Sequence, residues 1–299
     1  MKQNSQKKTS IFFSFLLLLT AMIWGFGFIV VKNSLDYLST LYLLSFRFSI
    51  GFLGMALVSI KFFKKINKKY LLQGMLLGGC MFLAFWFQIE AVSYTTVGKN
   101  AFLTAAYVVF VPLLSWLLYR KKVTAQVILA TILCFTGIGL LSLDSTLSIN
   151  LGDILTLICA IFYALHIVFS SKFFDQGSSP VLLNVLQLGF AALYAWFFAL
   201  LTQPFPTAGI NRDTVIGILY LGICCTMLAF LFQALGQKHT SPTVASIILC
   251  TESVFGVIFS VIFLHEQMSI KMVIGCTIIF IALILTQVEI KPRSNHQKE

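Results

Sequence analysis

Long apolar runs are the feature of this sequence that most restricts its fold. Ten of them follow one another, at residues 11–31, 40–60, 70–89, 100–119, 123–143, 154–171, 180–201, 214–237, 242–264 and 271–288. Most are close to the roughly 20 residues that a helix needs to cross the ~30 Å hydrocarbon layer of a bilayer. Because a segment in lipid must satisfy its own backbone hydrogen bonds, and because these runs lack the polar alternation of barrel strands, they are expected to be helices. The sequence predicts an all-α integral membrane protein with ten transmembrane helices.

The basic residues predict how these helices are oriented. With the N-terminus in the cytoplasm, sixteen Lys and Arg residues fall on the inside and four on the outside, and Arg47 lies within a helix. This asymmetry is the positive-inside rule, so the net charge of +11 is expected to set orientation and not to bind nucleic acid. The first run is too long for the apolar region of a signal peptide, so it is expected to be a retained helix. We expect a multi-pass protein of the inner (plasma) membrane with both termini in the cytoplasm.

An internal repeat divides the chain into two halves. The sequence LAFWFQ at residues 83–88 recurs as LAFLFQ at residues 228–233, an offset of 145 that also pairs Cys80 with Cys225 and Thr95 with Thr240. Each half then holds five helices, and because five is odd, the second half must be inverted relative to the first. The predicted organisation is a cytoplasmic tail at 1–10, a first repeat at 11–145, an inverted second repeat at 146–288 and a cytoplasmic tail at 289–299. Inverted repeats are typical of transporters with a binding site near the membrane midplane.

Four segments of the chain resemble a known family. They are AMIWGFGFIVVK at residues 21–32, AIFYALHIVFSSK at 160–172, AFLTAAYVVFVPLLSW at 101–116 and ESVFGVIFSVIFLHE at 252–266. The sequence is similar to the EamA-type transporters of the drug/metabolite transporter superfamily over roughly residues 11–288. The resemblance implies ten helices in two five-helix repeats, and export or exchange of small metabolites across the inner membrane without ATP hydrolysis. One departure is Ser253, which follows Glu252 where the family often has Pro.

Glu252 is the strongest candidate for a functional residue. It lies about ten residues after Pro242, hence roughly 15 Å into its helix and close to the midplane. Its counterpart at the offset of 145 is Tyr107, in a helix that places Asn100, Thr104 and Tyr107 on one face. We expect these two helices to present their polar faces to one central cavity.

The ionisable residues within the apolar runs are costly to place in lipid, so each is a candidate for function. Glu252 binds a proton or a substrate amine, or it is a neutral acid tied to a neighbouring helix. Arg47 receives an anionic group, or it pairs with an acid such as Glu90, and the structural pairing is the favoured interpretation. Lys99 is expected to be an interfacial anchor. His166 is either a satisfied core histidine or a gate or proton site, and the former is favoured slightly.

Four further residues are candidates for the wall of the cavity. Trp24 in the first helix has Tyr163 as its counterpart in the sixth, and packing is nearly as good an explanation for it. Gln88 and Gln233 are the repeated amides of the duplicated motif. They are expected to hydrogen-bond either to substrate or across helices.

Other function classes have less support in the sequence. There is no HExxH zinc motif and no P-loop, so neither catalysis nor ATP-driven pumping is expected. The seven cysteines all fall within apolar runs, which favours small core residues over a metal site. A small-solute channel and a non-transporting membrane scaffold remain the alternatives. The sequence favours a secondary transporter of a small metabolite, amino acid or drug-like solute that works by alternating access as an exporter. No cofactor is expected, and proton coupling and oligomeric state stay open.

Overall fold

The regular elements of the described chain are all helices. In the computed structural model, residues 2–95, 100, 103–120, 122–142, 150–206, 211–264 and 270–287 are described. The first half contains α1 (Lys2–Ser34), α2 (Thr40–Ser59) followed by a 3₁₀ helix (Ile60–Lys65), α3 (Lys68–Ala91), α4 (Tyr107–Tyr119) and α5 (Ala125–Ser142). The second half contains α6 (Leu151–Asp175), α7 (Pro180–Thr202), α8 (Arg212–Tyr220), a π-helix (Leu221–Leu228), α9 (Ala229–Lys238), α10 (Pro242–Leu249), α11 (Glu252–Leu264) and α12 (Ile270–Gln287).

The apolar runs of the sequence correspond to these helices. Within the described residues, seven stretches are long and apolar enough to cross a membrane: Ile11–Ser34, Thr40–Lys65, Lys68–Ala91, Leu151–Asp175, Pro180–Thr202, Arg212–Lys238 and Pro242–Phe263. Three further apolar helices are shorter, at Leu103–Tyr119, Ala125–Leu140 and Val273–Thr286. The all-α membrane fold is thus confirmed, whereas the number of ten spans stays a prediction.

Local sequence signals account for where several helices begin. Asn150 and Asp153 form a capping box at the start of α6, in which each side chain accepts a hydrogen bond from the other residue's backbone N–H, at 3.0 and 2.9 Å. Helices α7 and α10 each begin with a proline, Pro180 and Pro242, whose missing N–H costs nothing in the first turn. These signals fix the ends of the helices that surround the site.

Two runs that the sequence predicts as continuous helices are interrupted. The run at 242–264 is divided between α10 and α11 at Cys250 and Thr251, and the run at 100–119 has a turn at Ala106 immediately before α4. At both points 3₁₀-type hydrogen bonds appear, from Thr251 N–H to the Ile248 carbonyl at 3.2 Å and from Ala106 N–H to the Leu103 carbonyl at 3.2 Å. Thr251 lies 145 residues after Ala106, so the interruptions occupy equivalent positions of the two halves. The first helix, by contrast, is continuous past its glycines.

The two halves interlock, and most of the major helix contacts join one half to the other. The most extensive pairs are α5 with α12, α2 with α7, α3 with α6 and α7, and α1 with α9 and α11. At the offset of 145, α1 is equivalent to α6, α3 to the segment that ends in α9, and α4 to α11. The contact of α3 with α6 is therefore equivalent to that of α9 with α1, and the contact of α4 with α6 to that of α11 with α1. The arrangement of contacts therefore has an approximate two-fold relation between the halves.

Contacts between helix ends define two ends of the bundle. At one end, the Phe13 ring stacks on His239 with centroids 3.8 Å apart, and Lys172 Nζ lies 4.8 Å from the centre of the Tyr119 ring. We call this the basic end, because the described residues 60–70, 119–120, 122–125, 172–180 and 238–242 lie there. At the opposite end, Tyr42 Oη donates to the Gln203 carbonyl at 3.2 Å. The basic end is the one that the sequence predicts to be cytoplasmic.

Candidate functional site

A central cavity of about 70 Å³ lies between the two halves. Eight of the ten residues predicted from the sequence line it: Trp24, Arg47, Gln88, Asn100, Tyr107, Tyr163, Gln233 and Glu252. Thr104 contacts one of them by a hydrogen bond, and His166 lies in a second, smaller cavity nearer the basic end. The structure thus brings most of the predicted residues together, whereas their roles stay predictions.

Arg47 is the buried cation of the central cavity. Its side chain is 3% exposed, its Nε donates to Thr226 Oγ1 at 2.7 Å, and its guanidinium carbon lies 4.2 Å from the centre of the Phe85 ring. The favoured pairing with Glu90 is not observed, because no salt bridge joins these two described residues. A hydroxyl and an aromatic face hold the guanidinium in place without neutralising its charge. Arg47 is therefore able to receive an anionic group.

Glu252 is the buried acid of the same cavity. It is 7% exposed and is the first residue of α11, directly after the interruption at Thr251. Within the described residues, no salt bridge or hydrogen bond joins its carboxyl group to another side chain, so the tie to a neighbouring helix is not seen there. A position in the first turn of a helix favours a carboxylate, whereas burial away from water favours the neutral acid. These opposed effects suit a group that exchanges a proton or a cationic partner.

Gly25 brings α1 against the backbone around Glu252. A Cβ atom added at Gly25 would lie 2.7 Å from Phe255 Cβ and 2.9 Å from the Glu252 carbonyl oxygen, closer than Cβ atoms can approach. Only glycine therefore allows α1 to contact α11 at this depth. This contact positions the start of α11, and with it the acid, at the cavity.

A hydrogen-bond network built on Gln88 forms one wall of the cavity. The Gln88 Oε1 accepts from Tyr163 Oη at 3.1 Å, and its Nε2 donates to Thr104 Oγ1 at 3.3 Å. Asn100 Nδ2 donates to the Gln88 carbonyl at 3.0 Å and to Thr156 Oγ1 at 3.1 Å. The network joins α3, α6 and the segment before α4, so the amide of Gln88 binds across helices. That is one of its two predicted roles.

Tyr107 contributes an unsatisfied hydroxyl to the site. It is the first residue of α4 and its counterpart in the second half is Glu252. Its Oη is buried and has no hydrogen-bond partner among the described residues, although its ring lies 6.2 Å from that of Tyr163. A buried hydroxyl without a partner is costly, so this group is available to hydrogen-bond with a ligand.

Trp24 couples α1 to the π-helix. Its indole Nε1 donates to the carbonyl of Cys225 at 2.7 Å, and its ring lies 5.1 Å from that of Phe230. The wider turn of a π-helix disturbs the regular backbone ladder, and such segments often occur at functional sites. Trp24 therefore both lines the cavity and packs, so the two predicted roles are combined.

Sequence reasoning misses three residues of the site. Thr226 and Phe85 hold Arg47, and Thr156 accepts from the Asn100 amide. Only Phe85 carries a signal, because it lies in the repeated motif and has Phe230 as its counterpart; the two rings are 6.0 Å apart. Nothing in the sequence distinguishes Thr226 and Thr156 from other threonines in helices, because their roles depend on how the two halves pack.

Other features of the described chain do not form an alternative site. A crevice between α1 and α8 at the end opposite the basic end is larger, at about 510 Å³, but its polar residues Asn33, Asp36 and Asp213 are exposed. No group of His, Cys, Asp and Glu suited to a metal ion occurs among the described residues. Lys99, predicted as an interfacial anchor, lies outside them. The central cavity is the place where buried charge and free volume coincide.

An all-helical membrane bundle with a buried acid and a buried cation in a cavity between two interlocked halves is typical of membrane transporters. The chain belongs to the EamA-like transporter family, whose sequence pattern matches residues 11–143 and 150–288. An uncharacterized transporter of Archaeoglobus fulgidus is 32% identical over 275 residues, covering 92% of this chain and 85% of that protein. The uncharacterized transporter YoaV of Bacillus subtilis is 22% identical over 86% of this chain and 90% of its own. A solved crystal structure has the same fold, with a TM-score of 0.78 and 14% identity over 93% of this chain and 96% of the other.

Proposed function

We propose that this protein is a secondary transporter that exports a small organic solute through the central cavity by alternating access. The observation that carries the proposal is the presence of Arg47 and Glu252, both buried and both without a salt bridge among the described residues, in one cavity between the halves. Burying a charge without a partner is expensive, so such groups persist in membrane helices where they have a function.

Ten spans in two inverted repeats, with both termini in the cytoplasm, are part of the proposal. The offset of 145, the equivalent interruptions at Ala106 and Thr251 and the two-fold relation of the helix contacts support it. In such folds one half rocks against the other around a site at the midplane, and interrupted helices allow that motion. The cavity extends toward the predicted outer side, where Val31 and Val92 line it, and this supports assigning the structure to an outward-facing state of the proposed cycle.

The chemistry of the cavity favours an amphoteric solute of the size of an amino acid. The Arg47 guanidinium suits a carboxylate, and the carboxyl group of Glu252 suits an ammonium group or a proton. The rings of Trp24, Phe85 and Tyr163 supply apolar surface between polar groups. In the absence of solute, a proton on Glu252 would keep the acid neutral, which links solute export to proton uptake.

A thermal-shift assay on the purified protein tests this ligand class. Each α-amino acid of a panel is compared with its decarboxylated amine and its deaminated acid; for leucine these are 3-methylbutylamine and 4-methylpentanoate. We expect an amphoteric compound to raise the unfolding temperature more than either singly charged relative, because only it satisfies both Arg47 and Glu252. In Glu252→Gln, we expect the amphoteric compound to raise the unfolding temperature no more than its deaminated acid does. In Arg47→Gln, we expect it to raise the unfolding temperature no more than its decarboxylated amine does.

The matched controls make the same chemical changes away from the cavity. Glu90→Gln alters a half-buried acid of α3, and Arg212→Gln alters an exposed cation of α8. If the controls lose the response as much as the cavity variants do, or if no amphoteric compound exceeds its relatives, the proposed ligand class is wrong.

Reconstituted vesicles then test the transport mechanism. We expect flux of the identified compound to saturate with its concentration and to depend on the pH gradient, and we expect Glu252→Gln to abolish or uncouple it at unchanged expression. Flux that stays linear with concentration would support a channel instead.

A further inference from the structure

A second, smaller polar cavity lies between the central cavity and the basic end. We call it the inner pocket; its polar lining consists of His166, Ser170, Asn184, Gln187, Gln233 and Gln237. Its free volume is about 10 Å³, on the order of what one water molecule requires. Gln233 lines both this pocket and the central cavity, so the two spaces adjoin at one side chain.

One side of the inner pocket is a chain of satisfied polar groups. The Nε2 of His166 lies 2.9 Å from Gln187 Oε1, and because an amide oxygen only accepts, the ring nitrogen must carry the hydrogen. The Gln187 Nε2 donates in turn to Asn184 Oδ1 at 2.9 Å. His166 therefore has the hydrogen-bonded core environment that the sequence slightly favours, in a row of uncharged polar side chains.

The other side of the pocket carries two amides that lack partners. Gln233 Oε1, an acceptor, and Gln237 Nε2, a donor, are buried and have no hydrogen-bond partner within the described residues. Both side chains are 3% exposed, and their spacing of four residues places them on one face of α9. One small neutral group that donates to the first and accepts from the second, such as a water or a hydroxyl, would satisfy both.

Four apolar residues, which we call the plug, line the inner pocket. Leu77, Phe174, Leu183 and Ala234 form a buried cluster of their own, distinct from the two larger cores, and all four also line the inner pocket. They come from α3, α6, α7 and α9, so any rocking of one half against the other must change their packing.

We propose that the inner pocket is the closed cytoplasmic half of the solute path and a binding site for one neutral hydrogen-bonding group. Gln233 binds that group as it passes between the central cavity and the inner pocket. Gln237 binds it at the side of the inner pocket that is nearer the basic end. In the closed state the site holds a water; when the plug opens, it holds a polar group of the solute. This inference rests on the proposed function, because it assigns the second half of the same path.

Thiol labelling from each side of the membrane tests the path without knowledge of the solute. The reagent is (2-trimethylammoniumethyl) methanethiosulfonate, which is charged and does not cross the bilayer, applied to right-side-out and to inside-out vesicles. Native Cys225 lines the central cavity, so the difference in labelling between the native protein and Cys225→Ser, which keeps the other six cysteines, reports on that cavity. Gln233→Cys is then placed in a Cys225→Ser background, with Leu193→Cys, 64% exposed in the middle of α7, as the matched control.

We expect Gln233→Cys to react from both sides and Leu193→Cys from neither. Adding Phe174→Ala is expected to accelerate the reaction from the basic end by roughly tenfold or more, since it removes packing that only the closed state has. The reaction from the opposite end should not accelerate. Each variant is used only where it reaches the membrane in native amounts, and Leu183→Ala replaces Phe174→Ala if the latter does not.

The possible outcomes separate the two proposals. Reaction of Gln233→Cys from the end opposite the basic end alone, even with the plug truncated, overturns the inner path and leaves the central cavity intact. Failure of native Cys225 and of Gln233→Cys to react from either side overturns the central cavity itself, and with it the proposed function. Reaction from both sides that is indifferent to Phe174→Ala overturns the role of the plug in closing the inner path.

Discussion

Gly25→Ala should lower the free energy of unfolding, because it forces α1 and α11 apart at their close contact. In the structure, an added Cβ meets Phe255 Cβ at 2.7 Å and the backbone atoms Glu252 O and Gly256 N, each at 2.9 Å. Two of these three atoms belong to backbone, which cannot rotate away as a flexible side chain can. The helices must therefore separate by several tenths of an ångström, and the start of α11 moves with them.

The expected magnitude follows from two opposing terms. Replacing glycine by alanine inside a helix ordinarily stabilises by about 0.5–1 kcal/mol, because alanine loses less backbone entropy on folding. Overpacking of a close contact costs about 1–3 kcal/mol, and an unyielding backbone places Gly25 in the upper part of that range. We expect a net loss of about 1–2 kcal/mol for Gly25→Ala.

Gly79→Ala is the matched control for this prediction. Gly79 is also within a helix, but the nearest atom to its added Cβ is Tyr194 Cε2 at 3.7 Å, an ordinary contact. We expect Gly79→Ala to be neutral or stabilising by up to about 1 kcal/mol. Thermal unfolding in the same detergent should rank the wild type above Gly25→Ala and not above Gly79→Ala. Equal stability of the two variants would refute the close approach of α1 to α11.

Three further predictions test individual contacts. Trp24→Phe removes the donor to the Cys225 carbonyl and is expected to cost about 1 kcal/mol of unfolding free energy, measured by thermal unfolding in detergent; an unchanged midpoint would mean that this bond contributes nothing. Asn150→Ala should cost about 1 kcal/mol by removing the cap of α6, whereas Asn150→Ser should retain most of it; equal losses would contradict the cap. The pKa of His239 lies below its usual value, because partial burial disfavours the charged ring and Lys238 repels it. Because the folded state binds this proton less readily than the unfolded state, His239 costs no stability above about pH 6.5 and lowers the stability of the fold as the pH falls below that value. His239→Gln should therefore flatten the acid side of a profile of melting temperature against pH. Identical profiles of the variant and the wild type would exclude His239 as the cause.

The sequence predicts the helices and the pairing of Glu252 with Tyr107, because both follow from periodic information. Long apolar runs determine which segments are helical, and a duplicated motif determines which positions are equivalent. Neither kind of information depends on how the helices are rotated against one another. The membrane fold and most of the residues at the cavity can therefore be predicted from the amino-acid sequence alone.

The errors concern contacts that depend on rotation and on packing between the halves. Charge alone pairs Arg47 with Glu90, but the guanidinium is directed to Thr226 and Phe85. The sequence leaves two roles open for His166, and only the packing shows that it lies in the inner pocket, with Nε2 2.9 Å from Gln187 Oε1. No sequence signal distinguishes these alternatives. The hydropathy of a segment is the same whichever way its helix is rotated about its axis, whereas the rotation decides which side chains meet.

The interruptions at Ala106 and Thr251 explain how a symmetric scaffold supports an asymmetric site. Each ends a regular hydrogen-bond ladder and starts a new helix whose first residue, Tyr107 or Glu252, lines the cavity. Across each interruption 3₁₀-type hydrogen bonds replace the α-helical ones: Val109 N–H donates to the Ala106 carbonyl at 2.9 Å, and Val254 N–H donates to the Thr251 carbonyl at 3.0 Å. Duplication supplies the two equivalent positions, and only the side chains differ, a phenol in one half and an acid in the other. Because the backbone arrangement is shared, the proposed recognition of an amine or a proton depends on that difference, and Glu252 is the residue whose replacement should alter this recognition while the fold is retained.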